Sequence, residues 1–149
     1  MARKRKNDPS RKEPDKPRPL TFLSEQIMAK GPRKTVVYAQ TASGRMLAKQ
    51  FLADLVGDAK IMKDKAAIEE HAQILADVGS ITNRKRFDFE RGNIYAFKAA
   101  KLRLAAFQYG DVWFVTHGIK KDEKPWREEE FQRAERIRFD QLTKLGVTP

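Results

Sequence analysis

Three neighbouring segments decide the fold of this chain: Ile94-Tyr95-Ala96-Phe97-Lys98, Lys101-Leu102-Arg103-Leu104-Ala105-Ala106-Phe107 and Val112-Trp113-Phe114-Val115-Thr116-His117-Gly118-Ile119. All three are rich in β-branched and aromatic residues and are divided by short breaks, as strands are. The middle one alternates, with Leu102, Leu104 and Ala106 on one face and Lys101 and Arg103 on the other. The third is apolar on both faces, which marks a central strand. Tyr109-Gly110-Asp111 reads as the turn between them. Strands this close in sequence pair as antiparallel hairpins. A two-residue loop at Tyr109-Gly110 would set Arg103 opposite Thr116, whereas a three-residue loop at Tyr109-Gly110-Asp111 would set it opposite His117.

Upstream, Thr35–Gln40 reads as a strand. A helix follows, with Ser43 as its cap, Leu47, Phe51 and Leu55 recurring every fourth residue beside Ala48, Leu52 and Val56, and Gly57 as its end. A second helix spans Asp64 to Val78, with Ile68, Leu75 and Val78 inward and Gly79 as terminator. Leu20, Phe22, Leu23, Ile27 and Met28 form a short helix or hook before Gly31-Pro32, and Phe87-Asp88-Phe89 is a strand or the lead-in to one. Downstream, Lys120–Lys124 is a polar break and Pro125 opens a helix. Glu128, Glu129 and Glu130 fill its first turn, where negative charge meets the positive helix end. Its stripe is Phe131, Ala134, Ile137 or Arg138, and Leu142, and Gly146 closes it. The order strand, helix, helix, three strands, helix specifies an α+β fold: a mostly antiparallel sheet with two N-terminal helices and a C-terminal helix.

The chain has 149 residues, room for one domain of ordinary size and a tail. Residues 1–19 hold eight basic and three acidic residues, four prolines and almost nothing apolar. Such a segment cannot bury enough surface to offset its ordering entropy, so it reads as a disordered basic tail, with the domain occupying residues 20–149. The net charge of +11 suits a polyanionic partner such as nucleic acid. With no cysteine there is neither a disulfide framework nor a thiolate zinc site, and two histidines, His71 and His117, make a histidine metal site unexpected. No apolar run spans a bilayer and no secretory signal is visible, so a cytoplasmic protein without cofactor or membrane partner is expected.

From Gly44 to about Leu142 the chain resembles toxins of the RelE/ParE superfamily, in the HigB-like branch common in phage-derived genes. The resemblance rests on an ordered set of segments: Ile74-Leu75-Ala76-Asp77-Val78-Gly79, then Gly92-Asn93-Ile94-Tyr95-Ala96-Phe97-Lys98, then the arginine-bearing Lys101–Phe107. Last comes Thr116-His117-Gly118-Ile119-Lys120-Lys121, followed by Pro125 and an acidic helix with Ala134. Three positions depart from the family pattern: Ile119 stands where an aromatic residue is usual, and Asp122-Glu123 replaces a common Thr-Gln. The resemblance implies a RelE-like fold and the toxin of a type II toxin–antitoxin system. It further implies a metal-independent endoribonuclease acting on free or ribosome-bound RNA, with a helix-turn-helix antitoxin as partner. Two rivals stay open: a ParE-like topoisomerase inhibitor, and a non-enzymatic phage accessory protein that binds nucleic acid or a protein complex.

In such RNA cleavage the 2′-hydroxyl attacks the adjacent phosphate, and the protein stabilises the phosphorane and moves two protons. Arg103 suits the phosphorane clamp, because guanidinium stays charged and binds two oxygens at once. His117 suits proton transfer, with an ordinary pKa near neutrality. Lys98 completes the catalytic set, as a phosphate ligand or, with a lowered pKa, a proton donor, and Lys101, Lys120 and Lys121 are phosphate-binding candidates. By residue type alone, Arg103 also fits the polar face of an amphipathic strand and His117 a strand-end histidine. Tyr95 and Trp126 are candidates for base stacking or for core packing.

Overall fold

Strand alternation sorts the apolar side chains into two cores, one on each face of a single sheet. The computed structural model describes residues 20–120 and 125–149. Its strands are β1 (Ile27–Lys30), β2 (Thr35–Tyr38), β3 (Phe87–Arg91), β4 (Ile94–Ala99), β5 (Leu102–Tyr109) and β6 (Val112–Lys120). The helices are α1 (Leu47–Ala53), α2 (Ala59–Val78) and α3 (Glu128–Lys144). The six strands lie in the order β1-β2-β6-β5-β4-β3. Strand β2 pairs with β6 in parallel and the other four pairings are antiparallel. The fold is α+β, with a six-stranded mixed sheet and three helices. No helix among the described residues is long and apolar enough to cross a membrane.

Along β5, Leu102, Leu104 and Ala106 join Leu52, Ile68 and Leu75 in the core beneath α1 and α2. Ala105 and Phe107 join Phe114, Ala134, Ile137 and Leu142 beneath α3. The second face of β5 is therefore covered, not left to solvent, from Ala105 onward. Arg103 alone carries charge on that face of β5, because Lys101 lies in the β4–β5 turn and not in the strand. In that turn Ala100 adopts φ +48°.

Several local expectations shift. The hook at the N-terminal end of the domain is a single 3-10 turn, Ser24–Gln26, and the chain then continues as edge strand β1. Phe22 packs edge-on against Phe114, with ring centroids 5.9 Å apart. Ser43 does not cap α1. It belongs to a tight turn closed by Thr41 N–H donating to Arg45 O at 2.8 Å, and α1 starts only at Leu47 and ends before Gly57. Helix α2 begins five residues earlier than the periodicity indicates, because the Asp58 carboxylate accepts from Ile61 N at 3.0 Å and caps it. Val78 lies on the last turn of α2 and is 60% exposed, not inward, while Gly79 ends the helix in the left-handed region. Helix α3 begins at Glu128, beyond Pro125.

The hairpin loop between β5 and β6 is Gly110-Asp111, with Tyr109 paired to Val112. Neither of the two loops expected from sequence forms. The register then shifts, since Ala106 faces Val115 but Leu104 faces Gly118. Thr116 and His117 together oppose Ala105, which is a β-bulge. Val115 packs in the α1/α2 core and a side chain at Gly118 would meet Phe51 of α1, so the residue inserted between them turns both Thr116 and His117 toward α3.

Two glycines let helices approach the sheet. A Cβ on Gly118 would stand 2.0 Å from the Phe51 ring, and one on Gly31 would stand 2.5 Å from the Ala76 backbone at the end of α2. The second contact is fixed by Arg33 and Lys34 N–H, both donating to Ala76 O at 3.0 Å. Neither site has room for a methyl group. Gly118→Ala should therefore destabilise the fold by about 1–3 kcal/mol in urea denaturation. The cost should shrink in a Phe51→Ala background, because the two residues share one contact. An additive double variant would show that Phe51 does not set this constraint.

Candidate functional site

The bulge places His117 under the first turn of α3, only 2% exposed. Its Nε2 lies 3.0 Å from Glu130 Oε1 and its Nδ1 lies 3.1 Å from Thr116 Oγ1. Burial is the largest influence on the ring and lowers its pKa; Glu130 opposes this, and Arg133 adds to it. In a neutral ring Nε2–H donates to the carboxylate, and the single proton of the Thr116 hydroxyl is shared between Nδ1 at 3.1 Å and Ala105 O at 3.4 Å. The Glu130 side chain is the more open member of the pair, 22% exposed, and Arg133 Nη1 stands 3.9 Å from it. Neither Glu130 nor Thr116 stands out in the sequence as a site residue. The carboxylate in a helix's first turn and the hydroxyl before a histidine become partners only through the bulge and the docking of α3.

Arg103 shares the α3 face with His117 but stands opposite Ile119, two residues further along β6. That separation is about 7 Å along a strand. Its Nη1 donates to Ala100 O at 2.7 Å and to Leu102 O at 2.9 Å, bracing the β4–β5 turn. The guanidinium is thus half-buried and structurally engaged, not projecting freely into solvent. Burial lowers its pKa and Glu90 raises it. Lys98 is the direct cross-strand partner of Arg103 on β4. Its Nζ lies 3.4 Å from Glu90 and 3.8 Å from Asp88, and Glu90 also acts on Arg103, so one acid serves both adjacent cations. Lys101 is exposed in the turn. Lys120, exposed at the end of β6, pairs with Leu102 and so lies at the same end of the sheet but on its α1/α2 face. Lys121 lies outside the described residues, as do residues 1–19.

The structure therefore brings Arg103, Lys98 and His117 to one face, with Lys101 and Lys120 around the same end of the sheet. It does not join Arg103 to His117 directly. Tyr95 packs against Phe87 and Trp113 in the α2-side core, and Trp126 packs against Phe131 with ring centroids 5.0 Å apart and planes tilted by 30°; both serve packing here. His71 is buried on α2, and its Nδ1 has no hydrogen-bond partner among the described residues. A groove of about 630 Å³ lies between the Thr41–Ser43 turn and α3, and Arg133, one of its lining residues, stands 3.9 Å from Glu130. No protein-family model matches the chain, and no curated protein matches it in sequence.

The depressed pKa of His117 makes stability depend on pH. The unfolded chain takes up this proton near the ordinary value of about 6.5, the folded chain only at lower pH. Stability is complete above about pH 6.5 and declines as pH falls toward the folded value. Burial shifts His71 in the same direction, with Arg86 reinforcing it. The melting temperature should therefore fall from pH 7 to pH 5, and His117→Gln should flatten part of that decline. Equal pH slopes for the two proteins would mean that His117 is not buried as a neutral ring.

Proposed function

We propose that this protein is an RNA-cleaving toxin of the RelE/ParE type, HigB-like in organisation, inhibited by an antitoxin on another chain. The observation that carries the reading is the assembly of Arg103, Lys98 and the His117–Glu130 pair on one sheet face, with Lys101 exposed in the adjoining turn. The run from β2 to α3 supports it, since two helices follow one strand and a C-terminal helix closes a set of antiparallel hairpins.

Reading the geometry as chemistry changes the expected roles. The His117 ring nitrogens are both engaged, so Glu130 meets the RNA first. Its carboxylate accepts the 2′-hydroxyl proton while His117 orients it. The 2′-oxygen attacks phosphorus, the bond to the 5′-oxygen breaks, and a 2′,3′-cyclic phosphate and a 5′-hydroxyl result. Lys98 supplies the proton taken by the leaving 5′-oxygen. Arg103 binds the phosphorane oxygens through the guanidinium edge not used on Ala100 and Leu102.

A second reading, a module that binds RNA without cutting it, draws on the deep burial of His117 and the acids around Lys98. Controlled expression with transcript-end mapping separates the two. Wild-type protein should create new 5′-hydroxyl ends. Arg103→Ala should remove them, with a rate loss on the order of a hundredfold or more, and Arg103→Lys should restore part, keeping the charge without the fork. The stability cost of Arg103→Ala should be only about 1 kcal/mol, that of the turn hydrogen bonds. RNA bound with no new ends would favour the binding module. Growth arrest with intact transcripts and altered supercoiling would favour the topoisomerase inhibitor.

A further inference from the structure

The groove between the Thr41–Ser43 turn and α3 has no part in the chemistry above. We infer that it is a nucleotide subsite that holds the backbone phosphate and base of single-stranded RNA on the approach to the His117–Glu130 pair. The inference rests on the RNA reading of that pair and extends it to a second surface.

The walls differ in chemistry. Arg133 and Arg136 stand three residues apart on α3 and so share a face. They are 56% and 78% exposed, respectively. Their acidic neighbours leave them unsaturated, because Arg133 is 3.9 Å from Glu130 and Arg136 is 3.6 Å from Asp140, both beyond hydrogen-bond length. Guanidinium donors in such loose, exposed pairs exchange readily to a phosphate, which accepts two of them at once. Across the groove, Thr41 Oγ1 lies 3.1 Å from Ser43 Oγ and accepts from Arg45 N at 3.1 Å. Whichever hydroxyl donates to the other, one O–H remains for a ligand. Leu47 and Ile137 supply an aliphatic floor for a base. At about 630 Å³ the groove falls among clefts that hold small ligands. Of the acids on its border, Asp140 lies beneath Arg136 and Glu129 leans toward Arg127 at 3.6 Å.

Position supplies the rest of the case. Arg133 lines the groove and also approaches Glu130, which holds His117. Arg133 is thus the link between an RNA strand seated here and the Glu130 carboxylate. A net charge of +11 favours association of the whole chain with a polyanion.

The test uses the full chain and a short fluorescein-labelled 2′-O-methyl RNA, which keeps its phosphates but cannot be cleaved. Arg136→Gln should weaken binding about tenfold, the effect of one charge-assisted contact. Arg133→Gln with Arg136→Gln should weaken it further. The pair should also lower the slope of log affinity against log salt by about 1.4, or about 0.7 for each lost contact to a single strand. Arg136→Lys should retain part of the affinity. Thermal unfolding confirms that each variant is folded. Unchanged affinity and salt slope in the folded double variant overturn the subsite, as does a wild-type protein that does not bind the probe. Binding of the probe by a protein that cuts no RNA sinks the nuclease reading and leaves the subsite standing.

Discussion

One extra residue in β6 governs the arrangement of the site. Without the bulge opposite Ala105, strict alternation would point either Thr116 or His117 into the α1/α2 core, and a different residue would meet α3. With it, both side chains face α3 while Gly118 keeps its place beneath Phe51. The hydroxyl, the imidazole and the Glu130 carboxylate then fall in one line of hydrogen bonds. A buried polar group is tolerated only when partnered, so the bulge, the ring and the first turn of α3 are mutually dependent. A carboxylate at a helix N-terminus is also favoured by the helix dipole, which gives Glu130 a second reason to be where it is.

The charged end of the sheet follows a related logic. Two cations side by side on neighbouring strands repel, and Lys98 and Arg103 are direct partners. Glu90 and Asp88 on β3 offset that repulsion, and the carbonyls of Ala100 and Leu102 fix the Arg103 fork. The result is a preorganised cation with part of its hydrogen-bonding capacity already spent. Preorganisation of this kind is what the proposed phosphorane clamp requires.

Helix α3 is the element that joins these parts. Its apolar stripe of Ala134, Ile137 and Leu142 covers one core. Its first turn holds His117, and Arg133 and Arg136 form a wall of the adjoining groove. Gln141 accepts the Gln40 N–H at 2.7 Å and ties the far end of the helix to the segment leading into the Thr41 turn. The two walls of the groove are thus linked to each other as well as to the sheet.

Local pattern was sufficient for the strand character of the central segments, the existence of all three helices, and the acidic first turn of α3. Each of these rests on periodicity or on end effects that operate within a few residues. The family resemblance together with residue chemistry also pointed to Arg103, His117 and Lys98 as candidates. It could not show β1, because four residues without alternation become a strand only when β2 is there to pair with them. It could not give the hairpin register, since the bulge depends on Gly118 seating against Phe51, a residue far away in the chain. The partners of His117, the acids that hold Lys98 and the half-buried state of Arg103 came from tertiary structure for the same reason. Each depends on which distant side chains share a face, and that is set by packing across the sheet.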